Sequence, residues 1–264
     1  MTSKNSPLKK AVLLAAGKGT RMNKLTADLP KPMIPVAEVP ILERILTGLI
    51  SAGIDKFLII TGYKAKVIQA HFGDGSRWKI SIIYQQQKIQ NGTGRVVELA
   101  RDFIGKDPFL LSYGDILVSS NTYASIQKEW TQKVTLDGII TIKLGEDIRQ
   151  GAVALFDEKF NLCDLVEKPN ESEIEKLRLQ FGNFKPWYNA GIYVFKPCLF
   201  KYIAQLKKSS RGEYELTDAI RQMAQEHLCL HGLVISDYWI DVRDTETLAK
   251  AQHHFTNGES SRTM

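Results

Sequence analysis

No run of eighteen apolar residues occurs anywhere in this chain of 264, so a membrane-spanning helix is excluded from the sequence. The first ten residues carry Lys4, Lys9 and Lys10 without the apolar stretch of a signal peptide. Cysteine is scarce: Cys163, Cys198 and Cys229 are far apart, odd in number and without a C-x-x-C pair, which argues against a disulfide framework and for a reduced, cytoplasmic protein. Two familiar glycine loops are missing. The dinucleotide fingerprint G-x-G-x-x-G would need glycine where Met22 stands, and the P-loop fails because Gly17-Lys18 is followed by Gly19 and Gly105-Lys106 by Asp107. The net charge of +6 is scattered, with no dense Lys/Arg block interleaved with aromatics, and an anionic small substrate explains it as well as nucleic acid does. With no internal repeat or low-complexity linker, the reading is a single domain over 10–255 between flexible tails at 1–9 and 256–264.

Hydrophobic residues make up 44% of the chain and charged residues 24%, ordinary proportions for a packed globular domain. Short apolar runs at 11–14, 57–61, 80–84 and 109–113 alternate with amphipathic windows at 41–52, 64–72 and 94–103. That rhythm predicts an α/β fold, Rossmann-like, with a mixed, mostly parallel sheet and helices on both faces. Further strands are expected at 137–143, 153–156, 163–167, 191–195 and 234–242. The charged and then aromatic stretch 170–187 interrupts the rhythm and reads as an exposed helix and loop over the cleft.

The segment with the clearest chemistry follows the first strand, as L-A-A-G-K-G-T-R from Leu14 to Arg21 and then Pro30-Lys31-Pro32-Met33-Ile34-Pro35. Ligands of open α/β sheets bind at the carboxyl ends of strands. Gly17 and Gly19 let backbone N–H groups approach an anion there, while Arg21 and Lys31 add fixed positive charge for phosphate oxygens. Asp115 follows Gly114 at the end of an apolar run, and Asp241 lies inside Tyr238-Trp239-Ile240-Asp241-Val242. A carboxylate in such a setting needs a bound cation or a strong partner. By composition alone Asp115 is a ligand or a turn-former, and Trp187, Tyr188 and Trp239 are core or sugar platform. His227-x-Cys229-x-His231 has three soft ligands but no fourth nearby, which argues against zinc.

The loop, Pro30–Val36 and Pro40-Ile41-Leu42 together resemble the signature of sugar nucleotidyltransferases, the nucleotide-sugar pyrophosphorylases, with glucose-1-phosphate thymidylyl- and uridylyltransferases and mannose-1-phosphate guanylyltransferases among them. The resemblance runs in the family's order from about Lys10 to Ala251, and it implies the nucleotide-diphospho-sugar transferase fold. It also implies roles. Leu14, Ala16, Gly17, Gly19 and Thr20 would bind nucleotide, and so would Gln87, Gly92 and Thr93, which keep the family's spacing of a glutamine, four residues and G-T. Gly151, Glu167, Lys168 and Asn189 match its sugar-phosphate segments. Asp115 and Asp241 match its two metal ligands, so Mg²⁺ is implied. Arg21, Lys31, Asp115 and Lys168 would carry the catalysis. Two departures stand out: Gly94-Arg95 after G-T, and Val242-Arg243-Asp244 where V-G-T is commoner.

The expected activity is condensation of a sugar 1-phosphate with an NTP to give an NDP-sugar and pyrophosphate, with a pyrimidine base, UTP or dTTP, favoured over GTP and CTP. No nucleic-acid or membrane partner is expected, and a homo-oligomer is compatible with the reading. Because the chain ends soon after the last motif, no C-terminal β-helix domain is expected. A cytidylyltransferase for phosphocholine or another phosphorylated alcohol keeps the same fold, as does a non-catalytic nucleotide-sugar-binding subunit. Pyrophosphate release separates the last of these from an enzyme.

Overall fold

The structure, a computed structural model, describes residues 4–133 and 135–260. Its strands are β1 (Lys10–Ala15), β2 (Pro35–Val36), β3 (Val39–Pro40), β4 (Lys56–Thr61), β5 (Ser81–Gln86), β6 (Phe109–Tyr113) and β7 (Ile116–Val118), then β8 (Gly138–Lys143), β9 (Ala152–Phe156), β10 (Leu162–Glu167), β11 (Trp187–Phe195), β12 (Leu230–Val234) and β13 (Trp239–Asp241). The helices are α1 (Ile41–Ser51), α2 (Ala65–Phe72), α3 (Thr93–Glu98), α4 (Arg101–Ile104), α5 (Ser120–Gln132), α6 (Glu171–Phe181), α7 (Leu199–Gln205), α8 (Leu216–Gln225) and α9 (Thr245–Ser260).

Nine strands form one mixed sheet, with β5, β4, β1 and β6 parallel and in that spatial order. The chain moves outward from β1 to β4 and β5, then returns to place β6 on the other side of β1. That reversal leaves a crevice at the carboxyl ends of β1 and β6. Side chains alternate between two cores: Ala11, Leu13 and Ala15 pack with α1, α2, α5 and α9, while Val12, Leu58 and Ile60 pack with α3, α4, α7 and α8. Burial on both faces is why these strands read as unbroken apolar runs.

β11 is the hinge of the architecture. Its residues Ile192–Phe195 pair antiparallel with β6, whereas Trp187 and Tyr188 pair with β9. Its register against β8 breaks between Asn189 and Tyr193. Gly191 sits at the break with φ of 79°, and a Cβ there would lie 2.8 Å from the Tyr113 ring. The irregularity bends the strand away from β6, so the sheet opens beside the crevice.

The sequence expectations meet these bounds within a residue or two for most strands, with four differences. The window 94–103 divides into α3 and α4. The strand expected over 234–242 is instead β12 and β13, separated by a loop containing Ser236 and Asp237. α5, α7 and α8 and the short strands β2, β3 and β7 have no counterpart among the expected elements, although Leu216, Ala219, Ile220 and Met223 are buried at helical spacing. The tails are also more ordered than expected. α9 runs on through Ser260, and Leu8 is fully buried. Gln127 on α5 exchanges two hydrogen bonds with Leu8, each 2.9 Å, and Trp130 Nε1 donates to the Ser6 carbonyl at 3.1 Å. Residues 1–3 and 261–264 of the expected tails lie outside the described residues. Among the described residues no helix is long and apolar enough to cross a membrane.

The docking of Leu8 onto α5 has a measurable consequence. Leu8→Ala should lower the unfolding free energy by about 2–4 kcal/mol in denaturant titrations, the cost of a cavity in a packed core; an unchanged midpoint would mean that the segment before β1 is a free tail after all.

Candidate functional site

β1 ends at Ala15, and the glycine loop turns over its carboxyl edge. The Ala16 carbonyl accepts from Tyr63 N–H at 3.3 Å and from Gln90 Nε2 at 3.4 Å, and the Leu14 carbonyl accepts from Gly114 N–H at 2.9 Å. These bonds tie the loop to the ends of β4, β5 and β6. Gly19 has φ of 66°, and a Cβ on it would lie 2.7 Å from the Lys31 Cβ. Close passage of the two segments therefore requires glycine. Lys31 opens a short 3₁₀ turn whose Pro32 and Met33 are buried, and that anchorage aims the lysine inward. Its Nζ lies 2.6 Å from Asp115 Oδ2.

Asp115 and Asp241 are 126 positions apart in the chain and become neighbours through a second, two-stranded sheet. β13 pairs antiparallel with β7, with Asp241 opposite Ile116, and Val242 N–H donates to the Asp115 carbonyl at 3.0 Å. Trp239 fixes this ladder from below, with its Nε1 donating to the Ala190 carbonyl at 2.8 Å. Burial, and next the charge of Asp115, pushes the Asp241 carboxyl up to about 7, against the opposing pull of Lys31, Arg243 and Arg21. Two carboxylates in such proximity fit a divalent cation of the Mg²⁺ type, which takes one or two carboxylates and completes its shell with substrate phosphates and water. No set of three or more His, Cys, Asp or Glu side chains converges among the described residues. His231 Nε2 meets Lys133 Nζ at 2.6 Å, and Cys229 Sγ donates to Asn161 Oδ1 at 3.8 Å.

The other wall comes from β9, β10 and β11. Gly151 is required sterically, because a Cβ there would run into the Tyr188 hydroxyl. Lys168 N–H donates to the Gly151 carbonyl, and Lys168 itself adopts φ of 43°, which turns the chain sharply after Glu167. Burial pushes the Glu167 carboxyl up, and Arg211 opposes the shift from 3.4 Å. Asn189 Nδ2 donates to the Tyr193 hydroxyl at 2.7 Å, while its Oδ1 is buried without a partner and is a natural acceptor for a ligand hydroxyl.

A cavity of about 270 Å³ joins these parts. Arg21, Lys31, Asp115 and Asp241 line it together with Thr93, Gly151, Glu167, Lys168 and Asn189. Leu14, Ala16, Gly17, Gly19 and Thr20 lie outside its lining, on β1 and the loop after it. Gln87 and Gly92 lie outside it too, after β5. Gln87 N–H donates to the Thr61 carbonyl at 2.8 Å, and Gly92, with φ of 110°, backs onto the Tyr214 backbone. Trp187 is core, whereas Tyr188 and Trp239 line the cavity.

The segment 170–187 does not cover the cleft, contrary to expectation: none of its residues lines the cavity. α6 is drawn elsewhere by Leu177, which packs on Val153 and Leu155 of β9. Its start is held by a capping box between Asn170 and Glu173. Sequence reasoning also missed Gln150, Tyr113 and Arg243 as lining residues and Arg211 as the partner of Glu167. Only Arg243 left a signal, as an arginine standing where glycine is commoner.

The raised carboxyl of Asp241 sets a pH dependence. A carboxyl whose pKa rises on folding costs stability as it ionises, so its contribution is full below the unfolded value of about 3.9 and is lost as pH climbs through about 7. In chelator-treated protein, Asp241→Asn should therefore be more stable than the parent chain at pH 8, on the order of 2 kcal/mol, with a smaller difference at pH 5. Denaturant titrations at both pH values measure this; equal differences at the two would remove ionisation as the cause.

Known proteins resemble this chain in sequence and in fold. The low-salt glycan biosynthesis nucleotidyltransferase Agl11 of Haloferax volcanii is 31% identical over 243 residues, covering 92% of this chain and 64% of that protein. The bifunctional protein GlmU of Methanococcus maripaludis is 33% identical, covering 94% of this chain and 54% of its own length. The chain thus spans 64% and 54% of the length of these two relatives. The UTP–glucose-1-phosphate uridylyltransferase AglF of Haloferax volcanii is 27% identical, with 92% of this chain and 94% of that protein covered. Among solved structures, a Bacillus anthracis protein named as a glucose-1-phosphate thymidylyltransferase, in complex with sucrose, superposes with a TM-score of 0.79 at 25% identity over 93% of this chain and 94% of the other. A UDP-glucose pyrophosphorylase complexed with UDP-glucose gives 0.83 at 21% identity over 95% and 99%, a likeness of fold. The model of the nucleotidyl transferase family matches residues 10–258, and the chain belongs to that family.

Proposed function

We propose that this chain condenses a sugar 1-phosphate with a nucleoside triphosphate, giving a nucleoside diphospho-sugar and pyrophosphate. One observation carries the proposal: a single cavity joins Arg21, Lys31, Asp115 and Asp241 on one wall to Glu167, Lys168 and Asn189 on the other. A phosphate-binding wall facing a hydroxyl- and phosphate-binding wall suits two phosphorylated reactants meeting in line. A phosphate oxygen of the sugar 1-phosphate attacks the α-phosphorus, a P–O bond forms, the bond to the bridging α,β-oxygen breaks, and pyrophosphate leaves with the electron pair. The attacking oxygen is already ionised, so neither an enzymic nucleophile nor a general base is needed, and positioning with charge neutralisation supplies the catalysis.

In this reading the glycine loop holds the triphosphate, and Arg21 and Lys31 stabilise charge growing on the departing pyrophosphate. Lys168 binds the sugar phosphate. Glu167 and Asn189 take sugar hydroxyls, with Arg211 holding Glu167 in place. Asp115 and Asp241 would hold Mg²⁺, which supplies charge neutralisation on the triphosphate when bound. Gln87, Gly92 and Thr93 are assigned to the base. Uracil or thymine is favoured, in line with AglF, named for UTP, and the Bacillus anthracis protein, named for thymidylyl transfer.

A panel of four NTPs against several sugar 1-phosphates, followed by pyrophosphate release, tests the reading; silence from every pair would overturn it. Asp115→Asn and Asp241→Asn should each lower turnover by about two orders of magnitude or more at saturating Mg²⁺. Residual activity above about a tenth would remove that residue as an essential ligand. Arg21→Ala should lower kcat, because the charge it meets grows in the transition state, whereas Lys168→Ala should mainly raise KM for sugar 1-phosphate. If Lys168→Ala altered only NTP saturation, the two walls of the cavity would have to be exchanged.

A further inference from the structure

Three cations of the cavity answer to the two phosphorylated reactants proposed above: Arg21 and Lys31 to the triphosphate, Lys168 to the sugar phosphate. Arg243 is a fourth cation lining the same cavity, and that assignment gives it no role. Its backbone is fixed. Arg243 N–H donates to Thr247 Oγ1 and to the Asp241 carbonyl, each at 3.0 Å, and Asp244 Oδ1 accepts from Thr247 N–H at 2.8 Å where α9 begins. Arg243 lines the cavity, as do Gln150, Gly151 and Tyr188. Its charge acts on Tyr188 and Asp147 as well as on Asp241, which sets it between the aspartate pair and the loop 146–150.

Arg243 is half-buried, and among the described residues its side chain forms no ion pair within 4.0 Å and no hydrogen bond. Asp147 is engaged elsewhere, with Arg149 Nε at 3.4 Å and Gln150 Nε2 at 3.3 Å. A guanidinium offers five donors in a planar fork that matches a carboxylate or a phosphate bidentately. Leaving that fork half-buried without an acceptor costs desolvation free energy, which a bound anion offsets.

We propose that Arg243 selects a sugar 1-phosphate bearing a second anionic group, a carboxylate or a phosphate, on the side of the ring facing Gln150 and Tyr188. The inference rests on the reading of the cavity as a sugar nucleotidyltransferase site and narrows its substrate class. Phosphocholine, whose far end is cationic, is disfavoured by the same charge.

The test measures pyrophosphate release by the full chain with Mg²⁺ and the best NTP, using glucose 1-phosphate, glucuronic acid 1-phosphate and glucose 1,6-bisphosphate. In Arg243→Gln, kcat/KM for at least one doubly anionic sugar, relative to glucose 1-phosphate, should fall tenfold or more, with partial recovery in Arg243→Lys. Which of the two sugars suffers identifies the group as carboxylate or phosphate. An equal loss for all three would put Arg243 on the reacting phosphates, and unchanged ratios would remove it from the sugar; either result overturns the proposal. If no sugar releases pyrophosphate with any NTP, the reaction itself is refuted. Calorimetric titration of the same three compounds then still decides the inference: a preference for a doubly anionic sugar that Arg243→Gln abolishes supports it, and identical isotherms overturn it. Should Arg243→Gln melt below the assay temperature, the ratios in Arg243→Lys are read instead: a smaller fall of the same kind supports the proposal and none overturns it.

Discussion

Two carboxylates that repel each other are held side by side by a ladder of three residue pairs, and the rest of the molecule is arranged around that cost. β7 and β13 form a small sheet of their own, which brings Asp241 to the strand end that carries Asp115. Its strength comes from what lies beneath it: Trp239 is buried and bonded to the Ala190 carbonyl, and Val242 is fully buried. Lys31 supplies the counter-charge at 2.6 Å from Asp115. Removing water from like charges is unfavourable unless opposite charge is fixed nearby, and a prolyl turn with a buried Pro32 and Met33 holds that lysine in place.

The large sheet determines where this pair can act. β1 and β6 leave the crevice of a reversed strand order, and β11 bends away from β6 at Gly191 to widen it on one side. Gly114 holds the crevice tight at its base, since a Cβ there would lie 2.8 Å from the Leu14 carbonyl. Asp115, one residue further on, is thus carried on a strand end whose approach to β1 has no slack. Stiff strand ends rather than mobile loops present most of the charged groups, the arrangement that preorganised electrostatic stabilisation requires.

Charge in the cavity is close to balanced. Arg21, Lys31, Lys168 and Arg243 face Asp115, Glu167 and Asp241. Burial pushes up the carboxyls of two of the acids, Glu167 and Asp241. Anionic ligands and a divalent cation therefore enter a site built for both signs. The overall charge of +6 adds a weak long-range attraction, screened beyond about 10 Å at ordinary salt.

Much of this was legible in the linear chain because it depends on local rules. Apolar runs buried on both faces announced the strands, and Gly17 and Gly19 announced the turn over β1, where Gly19 takes positive φ. Asp115 and Asp241 stood out because charge beside apolar sequence needs a reason, and Arg21 and Lys31 because they follow the glycine loop. What the chain could not disclose were pairings between distant segments. Tertiary structure alone set Asp241 opposite Ile116, bent β11 at Gly191 and turned Arg211 towards Glu167. It also sent α6 onto β9 instead of over the cleft, because the burial of Leu177 on Val153 and Leu155 outweighs any pull from its flanking motifs. Periodicity and composition are read within a few residues, whereas register and side-chain meeting points are decided by how whole elements pack, and packing exists only once the chain has closed on itself.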